Sequence, residues 1–204
     1  MGMGILTLAF FAFVGIGLVL YFVTVYNSRV LLVMLLGLVP SALAQGPPPG
    51  TAAAEIAEIK KLEFMVGRWQ GEGWMEGPGG RTPFRGGEHV QSKLGGRILL
   101  VEGLFKGATP SGEEITVHET LAVISYDTQA KTYRLRTYVA RGGTGDHQLK
   151  LTGDRAWEWG FTAGPATIRF TMKLTEAGEW FEIGERSTDG QTWHQFFEMK
   201  LKKE

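Results

Sequence analysis

Short runs of alternating apolar and polar residues extend from residue 67 to the C-terminus and recur about every dozen residues. Within one run, Ile168, Phe170 and Met172 alternate with polar residues, a period typical of a strand with one buried face. Turn residues such as Gly142-Gly143 and Asp189-Gly190 separate the runs. The pattern predicts strands at 67–75, 83–92, 97–106, 114–125, 131–140, 146–152, 155–161, 166–174, 179–186 and 191–202.

About ten sequential antiparallel strands without crossover helices predict a mainly β domain, either an up-and-down barrel or a sandwich. A closed barrel of this size would enclose a cavity large enough for a small ligand. A short helix is expected at 51–64, where Ile56 and Ile59 lie on its apolar side. The predicted domain organisation is a hydrophobic helix (1–29), a signal-like segment (30–44), a Pro/Gly linker (45–52) and a β-barrel (53–204).

The N-terminal quarter of the chain has a composition suited to a different solvent from the rest, since Arg29 is the only charged residue before Glu55. The uncharged segment 5–26 would rise about 33 Å as a helix, enough to cross a bilayer core. After Arg29, a short apolar run ends in Ala42-Leu43-Ala44, which is the pattern of a signal peptide cleaved between Ala44 and Gln45.

Two interpretations of residues 1–28 stay open. The segment is either a membrane helix or an extended start that adds a second hydrophobic stretch to a signal peptide. Its last residues, Tyr26-Asn27-Ser28, resemble the membrane anchor of the LemA family, together with the apolar helix before them. Under both interpretations we expect an exported domain, periplasmic or extracellular, that is tethered to the membrane where cleavage does not occur.

Composition removes several classes of function. Charge is balanced, with 21 basic and 21 acidic residues, so no basic face is available for nucleic acid. The chain has no cysteine, which excludes disulfides and thiolate chemistry. The four histidines have no metal-ligand spacing, and no Gly-x-Ser-x-Gly nucleophile motif occurs. No catalytic residue and no metal ligand is therefore predicted.

Aromatic residues are the main candidates for ligand contacts, because large aromatics line apolar pockets as well as fill cores. Arg136 is a further candidate, either as a buried reader of a ligand carboxylate or as part of a solvated face. Glu102 and Glu119 are its candidate partners, or alternatively rim charges. The predicted ligand-binding residues are Trp69, Arg136, Trp157, Trp159, Phe170, Trp193 and Phe197, with Trp193 placed on the same face as Phe197.

The segment Gly67-Arg68-Trp69-Gln70-Gly71-Glu72-Gly73 resembles the Gly-x-Trp-x-Gly-x-Gly opening of nitrobindin-like barrels. Leu94-Gly95-Gly96, Ser125-Tyr126-Asp127 and Asp189-Gly190 resemble a related family of uncharacterised bacterial lipocalin-like barrels. The resemblance covers about residues 60–202 and implies a calycin-like barrel. It also implies haem as a cofactor, with His194 as the candidate ligand.

Three functional hypotheses follow from these observations. The first is a barrel that binds a small apolar or amphipathic molecule, favoured by the strand count and the aromatic wall. The second is an isomerase or hydrolase that uses a buried Glu or His as general base. The third is a structural, membrane-tethered domain with a filled barrel.

Overall fold

The structure, a computed structural model, describes residues 50–77 and 79–204. The predicted membrane helix, the signal-like segment, the cleavage site at Ala44 and Gln45, and residues 45–49 of the linker lie outside the described residues. Within the described residues, no helix is long and apolar enough to span a bilayer.

Ten antiparallel strands form a closed barrel in which each strand pairs with the next one in sequence. The first and last strands pair from Trp69 opposite Lys203 to Met75 opposite Phe197, which closes the sheet. This confirms the predicted mainly β, up-and-down barrel. The strands are β1 (Gly67–Gly77), β2 (Gly80–Lys93), β3 (Ile98–Ala108), β4 (Glu114–Asp127), β5 (Thr132–Val139), β6 (Thr144–Gly153), β7 (Ala156–Ala163), β8 (Ala166–Leu174), β9 (Trp180–Ser187) and β10 (His194–Lys203).

The last strand begins at His194, three residues later than the predicted start at 191. The reason is a side-chain turn around Asp189, whose Oδ1 accepts backbone hydrogen bonds from Gln191 (2.8 Å) and Thr192 (2.7 Å). The hydroxyl of Ser187 donates to the same oxygen at 3.0 Å. Because Asp189 binds these amides, the segment forms a turn in place of the first residues of a strand.

A β-bulge interrupts the pairing of β10 with β9 between Gln195 and Phe197. The extra residue shifts the alternation of side chains, so positions on either side of the bulge no longer share a face. Trp193 consequently lies on the outer face, with the Arg169 guanidinium 3.9 Å from its ring centroid. The prediction that Trp193 and Phe197 face the same way is therefore wrong.

A helical segment closes one end of the barrel. It consists of α1 (Thr51–Ile59), followed by a tighter 3₁₀ segment (Lys60–Met65), where the sequence predicts one helix over 51–64. Ile59, Leu62 and Met65 are fully buried in the same core cluster as the inward-facing strand residues. The hydroxyl of Tyr133 donates a 2.7 Å hydrogen bond to the Glu58 carboxylate and ties the helix to β5. We call this the closed end.

The opposite end of the barrel, here the open end, is formed by hairpin connections. These connections join β1 to β2, β3 to β4, β5 to β6, β7 to β8 and β9 to β10. Ile115 and Phe161 stand at this end and are 37% and 38% exposed. The barrel is thus covered by apolar residues at one end and accessible at the other.

Candidate functional site

The barrel interior contains a cavity of about 780 Å³. This volume lies in the range of about 300–1,000 Å³ that is usual for small-molecule sites. All ten strands contribute to its lining, together with Met65 and the hairpin turn at 141–143. The aromatic members of the lining are Phe84, Phe105, Trp157, Trp159, Phe161, Phe170, Trp180 and Phe197.

The aromatic rings form a contiguous wall. Trp159 stacks on Phe170 with the ring centroids 4.9 Å apart and an interplanar angle of 12°. Phe170 contacts Phe197 edge-on at 5.8 Å, and Phe197 stacks on Phe84 at 5.6 Å. Because β7 pairs with β8, and β10 pairs with β1, the alternating strand residues bring these rings onto one surface. The wall offers an apolar ligand a large contact area.

Two carboxyl groups face this apolar cavity near its closed end. Glu182 on β9 is 8% exposed, and its Oε2 accepts a 3.0 Å hydrogen bond from the indole Nε1 of Trp180. Burial raises the pKa of Glu182 to about 7, against the weaker opposing effect of the Trp180 hydrogen bond. This carboxyl therefore keeps its proton to a higher pH than an exposed glutamate does.

The second carboxyl belongs to Glu88 on β2, opposite Gly103 on β3. A Cβ atom at Gly103 would lie only 2.7 Å from Oε1 of Glu88, so the glycine makes room for the carboxyl. Burial, and secondarily the charge of Glu182, raise the pKa of Glu88 to about 8. Glu88 is therefore mainly protonated at neutral pH.

Two buried polar atoms have no hydrogen-bond partner within the described part of the chain. They are Oε2 of Glu88 and Nε1 of Trp157, and both side chains line the cavity. Trp157 is only 4% exposed. Since most buried polar atoms in proteins are paired, unpaired atoms of this kind are places where a ligand or solvent atom gains a partner.

Two histidines line the cavity further towards the open end. Desolvation, and secondarily the positive charge of Arg141, lower the pKa of His118. Desolvation also lowers the pKa of His147, whose ring lies 4.8 Å from that of Trp159. Both imidazoles are therefore neutral at pH 7, and each presents one donor and one acceptor nitrogen.

The structure places four of the predicted ligand-binding residues in the cavity lining: Trp157, Trp159, Phe170 and Phe197. Trp69 is 1% exposed but belongs to the core beneath the cavity, where its Nε1 donates to the Met65 carbonyl at 2.7 Å. Its ring packs edge-on against Trp180 at 5.7 Å. Trp69 therefore supports a lining residue and is not one itself.

Arg136 and Trp193 do not line the cavity. Arg136 alternates with the inward-facing Leu135 and Thr137, so its side chain is on the outer face, 3.4 Å from the Asp146 carboxylate. The solvated-face interpretation of Arg136 is the one the structure supports. Trp193 is on the outer face because of the β10 bulge described above.

His194, the ligand that the resemblance implies for haem, is exposed at the start of β10 and does not line the cavity. The bulge leaves it at the rim of the barrel, so the structure does not bring the implied haem ligand into the cavity wall. Glu102 and Glu119 are also exposed on the outer face, as rim or surface charges.

Neither cavity carboxyl is among the ligand-binding residues predicted from the sequence. In β9 the apolar residues Phe181 and Ile183 alternate with Glu182, which predicts that Glu182 faces solvent, yet the structure turns Trp180 and Glu182 inward. The inward orientation of Glu88 was predictable, because it lies an even number of positions from Phe84 and from Val90 on the same strand. Both of these residues are buried.

Comparisons with known proteins identify the fold. No protein-family model matches the chain, and no curated protein does. The S-type phycobiliprotein lyase CPES from Guillardia theta matches with a TM-score of 0.50 and 10% identity, over 76% of this chain and 98% of that one. A de novo designed fluorescence-activating β-barrel matches with a TM-score of 0.33 and 13% identity, over 70% of this chain and 96% of that one. The chain thus has a ten-stranded antiparallel barrel fold similar to that of the lyase.

Proposed function

We propose that this barrel binds a small apolar or amphipathic molecule in its interior. The observation that carries the proposal is the cavity of about 780 Å³, with an aromatic wall and an accessible end. A structural domain with a filled barrel would have packed this volume with side chains, because protein cores are close-packed. The polar atoms of Glu88 and Trp157 give a bound molecule a fixed orientation.

The test is binding of the neutral fluorescent probe N-phenyl-1-naphthylamine to the barrel domain, followed by energy transfer from the cavity tryptophans. We expect saturable binding of one probe per barrel. Thr137→Trp, which fills the cavity from β5, should weaken the affinity at least tenfold. Thr116→Trp, the same change at an exposed position, should leave the affinity within about twofold. No saturable binding to the unmodified domain would contradict the proposal.

A second candidate function is acid–base catalysis on the bound molecule, as in the isomerase or hydrolase hypothesis. It is favoured by two cavity carboxyls whose pKa values are raised to about 7 and about 8, near the range of working general acids and bases. If the domain is an enzyme, a molecule that co-purifies with the Glu182→Gln variant should differ chemically from the one that co-purifies with the unmodified domain. Identical molecules by mass spectrometry would favour binding alone.

We further propose that the domain is exported, supported by the signal-like segment that ends at Ala44. We also propose that the barrel is related to the nitrobindin-like barrels, on the basis of the Gly67–Gly73 motif. Expression of the full chain in a bacterium, with N-terminal sequencing of the periplasmic fraction, should give a chain beginning at Gln45. Ala44→Arg should block cleavage and retain the protein in the membrane fraction, whereas a cytosolic, uncut chain would overturn export.

A further inference from the structure

The two cavity carboxyls restrict the chemical class of the ligand, provided that the barrel binds a small molecule as proposed. Glu88 and Glu182 come from strands that are not neighbours, β2 and β9, yet both face the same apolar space near the closed end. Two acidic side chains in an apolar interior are unfavourable unless something compensates them. Their presence in one cavity therefore calls for a partner.

The described protein residues do not supply that partner. The only hydrogen bond that either carboxyl receives from a described side chain is the one from Trp180 to Glu182, and neither carboxyl forms an ion pair with a described residue. Arg141 is the only arginine or lysine in the described lining, and it stands in the turn at the open end, donating to the Thr116 carbonyl at 2.8 Å. Among the residues that the structure describes, the closed end of the cavity thus carries two acids and no basic side chain.

The remaining side chains specify the rest of the ligand. Next to the carboxyls, Trp157 presents an indole edge, and Trp159 and Phe170 form the stacked wall that extends towards the open end. An aromatic wall favours apolar groups, and it attracts a neighbouring cation through the negative faces of its rings. The two acids, Glu88 and Glu182, disfavour a ligand carboxylate at the closed end, because like charges repel each other.

We propose that the ligand is an amine or another basic nitrogen compound with an apolar body, whose nitrogen binds at Glu88 and Glu182 in the closed end of the barrel. The ion pair can form by two routes, and each accounts for the proton that the carboxyl loses. A neutral amine takes the proton of one carboxyl, or an ammonium enters while that proton leaves to solvent. Both routes leave an ammonium beside a carboxylate, which is the charge-assisted pair that a buried acid requires.

The test compares decylamine, decanol and decanoate, three ligands with the same alkyl chain and different head groups, by displacement of N-phenyl-1-naphthylamine at pH 7. The barrel domain is expressed from Gln45, because its sheet and core close within residues 50–204. We expect decylamine to bind at least tenfold more tightly than decanol, and decanoate to bind most weakly. Glu182→Gln and Glu88→Gln should each reduce the preference for the amine over decanol about tenfold.

Glu185→Gln is the matched control, since Glu185 lies on the same strand as Glu182 but on the outer face, 2.7 Å from Arg169. It should leave the preference for the amine unchanged. Equal affinities for decylamine and decanol, or tighter binding of decanoate, would overturn the inference while the proposed binding function stands. Absence of probe binding would overturn the proposed function itself. Because the three ligands are compared on the unmodified domain, the result does not depend on whether a variant folds.

Discussion

The indole Nε1 of Trp180 donates a 3.0 Å hydrogen bond to the carboxyl of Glu182, two residues further along the same strand. Both side chains face the barrel interior because residues two apart on a strand point the same way. Trp180 also packs edge-on between Trp69, at 5.7 Å, and Trp157, at 6.3 Å. One side chain thus fills the core beneath the cavity and provides a hydrogen bond to an otherwise unpaired acid.

Replacing Trp180 with phenylalanine keeps a ring in the core but removes this hydrogen bond. We expect a loss of about 1–3 kcal/mol in the free energy of unfolding, because a buried acceptor is left unpaired and a cavity is created. The pKa of Glu182 should rise further, since the hydrogen bond favours its charged form. Urea unfolding and NMR titration measure the two effects. Trp193→Phe, on the outer face, is the control and should change stability by less than about 0.5 kcal/mol.

Stability should fall as pH rises from about 4.5 to 8. Glu182 and Glu88 have folded-state pKa values of about 7 and about 8, against 4.5 when unfolded. In that window the folded state holds more protons than the unfolded state, so raising the pH favours unfolding. For Glu182 the shift corresponds to a contribution on the order of 3 kcal/mol, fully present below pH 4.5 and lost above 7.

Glu182→Gln isolates this effect. His118 and His147 have lowered pKa values and act in the opposite direction, because they favour folding as pH rises towards 6.5. The difference in unfolding free energy between the variant and the unmodified domain cancels the histidine contribution. We expect the variant to gain stability relative to the unmodified domain between pH 5 and 8, and a pH-independent difference would contradict the assigned shift.

Gly103→Ala should destabilise the barrel through Glu88. The new Cβ would lie 2.7 Å from Oε1 and 2.8 Å from Oε2 of Glu88, so the carboxyl must move into the cavity. We expect a cost of at most about 1 kcal/mol, because the flexible Glu88 side chain can shift, and most of this cost is recovered in the double variant Gly103→Ala/Glu88→Ala. Gly153→Ala is the control, since the nearest atom to its new Cβ would be 4.0 Å away. Additive effects in the double variant would show that the two positions do not interact.

Tyr133→Phe should loosen the helical cover of the closed end. The Tyr133 hydroxyl donates to the Glu58 carboxylate at 2.7 Å and also lies 3.2 Å from the Glu58 carbonyl. Its loss should cost about 1 kcal/mol and speed hydrogen exchange of the helix amides more than that of the strands. Tyr138→Phe, on the outer face of the same strand, should do neither. Uniform acceleration in both variants would contradict this role.

The sequence by itself determined the number, order and approximate bounds of the strands. This information is local: alternation with a period of two marks each strand, and glycines and aspartates such as Gly142 and Asp189 mark the turns. Short turns can join only antiparallel strands, so ten strands connected by such turns predict the up-and-down order. The apolar faces of β7 and β8 were also readable, because Trp157, Trp159 and Phe170 alternate regularly.

The tertiary structure decided which residues meet in the cavity, because that depends on long-range register. The bulge in β10 turns Trp193 outward, although its spacing from Phe197 predicts a shared face. Glu88 and Glu182 lie on strands far apart in sequence, and barrel closure through β1 and β10 brings them into one space. In β9 the apolar Phe181 and Ile183 face outward, so alternation alone predicts the opposite orientation for Glu182. The local sequence pattern determines where the strands lie along the chain, whereas barrel closure and the β-bulge determine which side chains line the cavity.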